Sequence, residues 1–313
     1  VFSFIAKRMV ATIPVMGVVA LFVFLMLRLS PGDPASVIAG DYATPEDIER
    51  IRAQLGLSDP IVVQFGNWIW KLVRADLGIS IFSNLPVTTL IAQRLEPTAM
   101  LSLTTLIFSV AVAVPLGVLA AWKAGTWVDR GIMIFAVAGF SIPVFVLGYM
   151  FIYEFAMVLK WLPVQGYKSP FDNPVQFLRH IVLPTLTLSV IFIALFARIT
   201  RASVLEVLEE DYIRTARAKG QVESKVLISH ALRNAAVPIV TVIGLGIALL
   251  IGGVVVTESV YNIPGLGRLV LDAILKRDYP IIQGLILMFS FVYIIINLMI
   301  DIVYTVIDPR IRY

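Results

Sequence analysis

The chain has 313 residues, 59% of them hydrophobic and only 15% charged, with a formal net charge of +4. A soluble domain carries about 25% charge, so a polytopic membrane protein is expected. There is no cysteine, which excludes disulfides, iron–sulfur ligation and thiol catalysis, and His180 and His230 are too far apart in sequence to suggest a metal site.

Lys7 and Arg8 close a short N-terminus (1–8) and precede an apolar run over 9–29. That run is long enough to span a bilayer. It ends in Arg28-Leu29-Ser30-Pro31 rather than a small-residue cleavage site, so it is expected to be a retained first helix. Five more runs predict spans at 98–121, 131–158, 181–199, 237–257 and 281–306. With the N-terminus inside, the short loops and tails place thirteen Lys and Arg inside and six outside. This orients both termini to the cytoplasm, and with them a loop over 200–236 and a tail over 307–313.

The long outer segment, 30–97, is predicted to be a small helical cap. Thr44-Pro45-Glu46-Asp47 reads as an N-cap, a first-turn proline and first-turn acids, with the helix stopping at Gly56. Phe65, Trp68, Ile69, Leu72 and Val73 form an apolar helical stripe suited to the membrane surface. A third short helix is expected from Pro86 to Leu95, leading into the second span.

Within the spans, Ala113, Gly117 and Ala121, and again Gly244, Ala248 and Gly252, recur at a spacing that permits close helix packing. Pro115, Pro143 and Pro184 mark places where a neighbouring helix can absorb a kink. Ionisable groups in spans are expensive and are therefore functional candidates. Glu154 reads either as a polar contact lining a path or as an interfacial residue facing the outer headgroups. Asp301 reads as a structural partner for a basic residue at the inner boundary, where Arg198 and Arg201 close the fourth span. Thr104, Thr105, Ser109, Ser141, Thr185, Thr187 and Ser189 supply hydroxyls that could line a path or bond their own backbone; Ser141, Glu154 and Thr187 are the path candidates. Mid-depth acids are nearly absent, which argues against a proton-driven carrier.

The longest polar, helix-patterned run between two apolar segments is the cytoplasmic stretch 206–220, with a shorter helix expected from Glu223 to Arg233. Glu206, Glu209, Glu210 and Asp211 come first, and Arg214, Arg217 and Lys219 follow, an order that suits the dipole of one helix running through them. Gly220 is placed as its stop. The unit looks like a docking surface for another protein. On the outer side, Tyr261-Asn262-Ile263-Pro264-Gly265-Leu266-Gly267-Arg268 predicts a tight loop forced by Pro-Gly and the second glycine, followed by a helix from Leu269 to Leu275. It reads as a loop over an outer mouth or as an ordinary hairpin connection. No phosphate-binding loop, nucleophile elbow or zinc-binding run is present. No catalytic residue, metal or cofactor is therefore expected in this chain, and no nucleic-acid partner.

Asp211-Tyr212-Ile213-Arg214-Thr215-Ala216-Arg217-Ala218-Lys219-Gly220, followed by His230-Ala231-Leu232-Arg233-Asn234-Ala235 and Pro238, resembles the cytoplasmic motif of binding-protein-dependent ABC importer permeases, and within them the dipeptide/oligopeptide branch. Leu29-Ser30-Pro31-Gly32-Asp33-Pro34, Asp76-Leu77-Gly78, Pro264-Gly265-Leu266-Gly267 and Asp308-Pro309-Arg310-Ile311-Arg312-Tyr313 match the same branch in order. The general motif opens Glu-Ala-Ala, where this chain has Arg214, Thr215 and Ala216. Ala75 stands where the branch often has glycine.

The resemblance implies an all-α, six-span type I permease fold with both termini inside and a permease domain over 94–306. It also implies a multi-pass subunit of the bacterial inner membrane, not itself an enzyme, that works with a second homologous permease, two ABC ATPase subunits and a periplasmic substrate-binding protein. Glu209 and the run Asp211 to Gly220 would couple to an ATPase, with Tyr212, Ile213, Thr215, Ala216 and Lys219 as contacts. Tyr261 to Arg268 would meet the binding protein or form the outer gate. The cargo would be short peptides; relatives of the same architecture carry glutathione, chelated nickel, opines or oligosaccharides. An ion-coupled carrier or channel is the alternative of a different class.

Overall fold

In lipid a backbone must satisfy its own hydrogen bonds, and this chain does so almost entirely with helices. The computed structural model describes residues 2–29, 35–36, 44–54 and 57–307. The helix stop at Gly56, the stretch Ser30 to Pro34 and the tail after Ile307 lie outside the described residues. Among the described residues the one extended pairing is a bridge between Ile79 and Pro86.

The helices are α1 (Phe2–Leu29), α2 (Pro45–Gln54), α3 (Ile61–Val73), α4 (Val87–Trp122), α5 (Trp127–Ser141), α6 (Val144–Val158), α7 (Pro174–Leu208) and α8 (Asp211–Ala218). They continue with α9 (Glu223–Lys225, running on as the π-helix Val226–Leu232), α10 (Ala236–Val260), α11 (Leu266–Lys276) and α12 (Tyr279–Ile307). Among the described residues four are long and apolar enough to cross a membrane: α4, α7, α10 and α12. The pair α5–α6, bent by 101°, makes a fifth crossing if taken as one span, and α1 carries a shorter apolar stretch, Val10–Met26.

Three sequence expectations change. The short helix at Pro86–Leu95 does not stand alone, because α4 runs unbroken for 36 residues through Pro97 and Pro115. The third span is broken at Pro143. The residue before a proline is pushed out of the helical region, and Ile142 is extended, at φ −91 and ψ 125. The single helix expected through 206–220 is two, since α7 ends at Leu208 and α8 begins at Asp211. Glu206 therefore sits at the C-terminal end of a helix, where the dipole disfavours it.

The chain divides into two compact units, Val1–Leu95 with Leu269–Ile295, and Glu96–Arg268 with Ile296–Tyr313. In the first, α3 lies against α1 through Phe65 and Trp68, whose rings are 5.1 and 5.7 Å from that of Phe24. Asp278, 2% exposed, accepts from the Ser80 hydroxyl at 2.6 Å and from the Ile81 amide at 3.3 Å.

The second unit is built around α7. A helix apolar on all sides belongs in a core, and α7 is by far the most buried of the spans. Its Leu183, Leu188, Phe192, Phe196 and Ala197 meet Leu101 and Ala113 of α4, Ile152 of α6, and Val242, Leu250 and Val254 of α10. The spacing of small residues in α4 has its expected effect: a Cβ on Gly117 would lie 2.8 Å from the Ala197 carbonyl and 2.5 Å from Thr200 Cβ. In α10 the glycines that pack against α7 are Gly246, against Phe196, and Gly253, against Leu188; Gly252 faces open space.

Candidate functional site

The polar stretch after α7 forms a platform of two short helices. At the end of α7 the amides of Glu209 and Glu210 turn back onto the carbonyls of Glu206 and Val207. The chain then enters α8, which is amphipathic on a small scale. Ile213 (0% exposed) and Ala216 (8%) are buried with Val226 of α9, over Val207 and Leu208 at the end of α7. The other residues from Glu209 to Gly220 are exposed. Of the five contact residues expected from the resemblance, Ile213 and Ala216 thus serve the chain's own core, and Tyr212, Thr215 and Lys219 remain on the outer face.

Gly220 ends α8 as the sequence predicts. Its φ is +74, its amide bonds the Arg217 carbonyl at 2.9 Å, and the Gln221 amide bonds that of Ala216 at 3.3 Å. This is the paired closure of a Schellman motif. Two side-chain ties then hold α8 and the turn after it to α9. Arg217 donates to both carboxylate oxygens of Glu223, at 3.2 and 2.6 Å, and His230 Nε2 lies 2.7 Å from Gln221 Oε1. Burial, helped by the Glu210 carboxylate, pushes the Tyr212 phenol above its ordinary pKa against the pull of a hydrogen bond with Asn234, so it stays neutral at any physiological pH.

The platform is bolted to the spans by a second apolar cluster, Ala121, Val204, Ala231, Ala235 and Ile239, all nearly fully buried. Above it lies an ion pair that the sequence reading missed. Arg201 on α7 donates Nε and Nη2 to the two carboxylate oxygens of Asp129, at 2.5 and 2.7 Å. Asp129 also accepts the Gly125 amide at 2.9 Å. The pair clamps the α4–α5 turn to α7. The partner of Arg201 is therefore Asp129 and not Asp301. Lys123 lies over the ring of Trp122, and the Arg130 guanidinium over that of Trp127. Exposed tryptophans next to basic groups are the pattern of a membrane–water boundary.

At the other end of α7, the loop after α10 folds inward. Tyr261, Ile263, Gly265, Leu266 and Gly267 are buried, leaving Asn262 and Pro264 exposed and Arg268 half-buried. The tight turn is carried by Asn262 at φ +52 rather than by the glycines. The glycines are needed for space. A Cβ on Gly265 would lie 2.0 Å from Glu258 Oε1, and one on Gly267 2.6 Å from Val255 Cα. Glu258, 0% exposed, accepts from the Thr98 hydroxyl at 2.5 Å and the Arg268 amide at 2.9 Å, while Thr98 accepts the Leu266 amide at 2.7 Å. The Tyr261 hydroxyl shares a 2.7 Å hydrogen bond with Thr187 and reaches the Gly148 carbonyl at 3.3 Å. Nearby, the Tyr167 phenol donates to Glu96 at 2.9 Å; burial and that carboxylate push its pKa up.

The three path candidates are not brought together. Thr187 is buried in the Tyr261 bond. Glu154 is exposed, on the π-helical half of α6. Ser141 is exposed at the end of α5, its hydroxyl donated to the Val137 carbonyl at 2.8 Å. Among the described residues no group of His, Asp and Glu is arranged to hold a metal.

Comparison with known proteins places this architecture. The family described as binding-protein-dependent transport system inner membrane component matches residues 113–313, and its N-terminal companion matches residues 1–104. A probable peptide ABC transporter permease protein (y4tP) of Sinorhizobium fredii is 55% identical over 99% of both chains. A putative peptide transport system permease protein of Brucella abortus is 46% identical, and the glutathione transport system permease protein GsiC of Escherichia coli K12 44% identical, each over 99% of both chains. The fold is similar to a chain of the MetNI methionine ABC transporter, solved in inward-facing conformations. The TM-score is 0.59 at 16% identity, covering 71% of this chain and 97% of that one.

Proposed function

We propose that this chain, which belongs to the binding-protein-dependent transport system inner membrane components and is an ABC importer permease of the peptide family, moves short peptides across the bacterial inner membrane by alternating access. On this reading both termini are cytoplasmic and the permease core spans 94–306. The chain pairs with a second homologous permease and receives cargo from a periplasmic binding protein. ATP is hydrolysed by two separate subunits seated beneath α8.

The observation that supports coupling is the build of the platform. α8 presents Tyr212, Arg214, Thr215, Arg217, Ala218 and Lys219 outward, while Ile213 and Ala216 root it on α7 and α9. A force on its outer face passes to α7 through Val207 and Leu208. It reaches α4 and α10 through the cluster of Ala121, Val204, Ala231 and Ile239. On the outer side, Asn262, Pro264 and Arg268 are the accessible contacts for a binding protein, with Glu258 holding the loop that carries them. Glutathione is the second cargo reading, favoured by the Escherichia coli relative named for it.

Reconstitution tests the proposal. The chain alone in proteoliposomes should neither hydrolyse ATP nor take up peptide, and adding the companion permease, the ATPases and the binding protein should start both. Uptake by the lone chain under a proton gradient would overturn the importer reading. Within the full assembly, Tyr212→Ala with Thr215→Arg should leave ATP hydrolysis running but abolish uptake. Unchanged uptake would remove coupling from α8.

A further inference from the structure

We propose that the groove between α5 and α7 binds the anionic headgroup and the start of an acyl chain of one phospholipid, in the leaflet on the α8 side. A cavity of about 160 Å³ opens there, walled by Met133, Val137 and Phe140 of α5 and by Ala194 and Leu195 of α7, with Arg198 among its lining residues. The wall is apolar apart from that guanidinium and Ser141, whose hydroxyl is already donated to the Val137 carbonyl. Arg198 is exposed, and among the described residues it has no carboxylate partner. Its neighbour Arg201 is held on both oxygens of Asp129, so Asp129 is not free to serve Arg198 as well.

A lone cation inside a span needs an anion or a route to the headgroups, and its depth selects the anion. Arg201 is three positions beyond Arg198, a rise of about 4.5 Å along α7. Arg201 is pinned to the third residue of α5, beside the exposed Trp127 and its stacked Arg130. Arg198 therefore lies about one turn inside the boundary marked by Trp122 and Trp127, within reach of a lipid phosphate by snorkelling. Beyond it the groove runs away from that boundary, since Phe140 and Ser141 come last on α5 and Ala194 precedes Arg198 on α7. A head at Arg198 and a tail along Val137, Phe140 and Ala194 is the orientation a lipid on that side already has. A basic pocket between spans is a recurring site for anionic lipid headgroups.

The experiment measures lipid retention on the full-length chain by native mass spectrometry from nanodiscs containing phosphatidylglycerol or phosphatidylcholine. Wild type should keep one phosphatidylglycerol in preference to phosphatidylcholine. Arg198→Gln and the groove-filling Ala194→Trp should each lower that retention at least fivefold, whereas Arg179→Gln at the far end of α7 should not. A second measurement uses the unaltered chain. Phosphatidylglycerol carrying a diazirine in its acyl chain should cross-link within 133–141. Equal retention in wild type and both groove variants would overturn the proposal, as would cross-links spread evenly over the spans. Displacement of the lipid by a peptide carboxylate would also overturn it and assign the groove to cargo. None of these readouts requires transport, so the lipid site and the importer reading fail separately.

Discussion

Asp129→Ala should be among the most damaging single changes outside the apolar core. The carboxylate has 6% of its side chain exposed and its partner Arg201 25%. Removing it deletes two charge-assisted hydrogen bonds, each with a net contribution of roughly 1.5–3 kcal/mol, and leaves the Gly125 amide without its acceptor. Breaking a fully buried pair costs about 3–5 kcal/mol, but water can still reach part of the Arg201 guanidinium, so about 2–4 kcal/mol is expected here. At roughly 2–4 °C per kcal/mol for a cooperative unit of this size, the melting temperature in detergent should fall by about 4–16 °C. The double variant Asp129→Leu with Arg201→Met removes both charges and keeps the bulk, so it should recover most of that loss. The exposed pair Arg214–Asp211, three residues apart on α8, is the control, and Asp211→Asn should cost less than about 0.5 kcal/mol. If Asp129→Ala melts with wild type, or the double variant loses as much as the two singles added, the clamp does not hold α5 to α7.

Three further outcomes follow from the backbone and the glycines. Ala75 has φ +58, where an L-residue costs about 1–2 kcal/mol, so Ala75→Gly should raise the melting temperature, and no change would mean the turn is not strained. Gly246→Ala should cost about 1–3 kcal/mol because its methyl would lie 2.4 Å from Phe196 Cζ, while Gly252→Ala, with nothing within 4 Å, should be neutral or slightly stabilising in the same assay. Ser109 Oγ is buried with no hydrogen-bond partner, so Ser109→Ala should stabilise the described conformation by about 1 kcal/mol; a loss of stability would show that the hydroxyl is bonded after all.

Much of this was legible because hydropathy blocks report burial in lipid directly, and because a glycine after a polar helix reports one backbone conformation. The miss at 209–210 has a different origin. Glutamate favours helix, and nothing local stops α7 at Leu208; the break exists because Ile213 and Ala216 must turn onto Val226, a contact between residues far apart on the helical pattern. Asp129 and Glu258 were missed by a margin of one or two residues. Both acids sit just beyond the predicted bounds of their spans, 131–158 and 237–257, so neither counts as an ionisable group inside one. Glu258 does carry a signal, since it follows Gly246, Leu250 and Val254 at four-residue steps along one face of α10. Pro264-Gly265-Leu266-Gly267 reads as turn chemistry, but its glycines make room for a carboxylate and a neighbouring backbone. Sequence alone does not distinguish a glycine needed for its φ from one needed for its missing side chain.

The contacts of α7 also indicate how motion could pass through the second unit. Its 35 residues extend about 52 Å, well beyond the roughly 30 Å of hydrocarbon in a bilayer, so one helix joins the loop after α10 to the platform. Its attachments are unequal. Toward α5 it carries the Arg201–Asp129 pair, toward the platform a dry cluster at Val204, and toward the loop after α10 the Thr187–Tyr261 bond. Toward α4 it has Leu101 and Ala113 in its apolar core, Gly117 against Thr200 and two hydroxyl contacts, Thr104 with Thr185 at 2.9 Å and Ser189 onto the Thr105 carbonyl at 3.4 Å, while Thr105 Oγ1, Ser109 Oγ and Thr200 Oγ1 are buried without partners. Unsatisfied hydroxyls make an interface cheaper to rearrange, and a glycine contact offers little side-chain interlock against sliding. If α8 is driven by a partner, α7 and α5 should therefore move together, and α4, tied to α7 at the Ala121–Val204 cluster, should follow less closely along the stretch from Thr104 to Gly117.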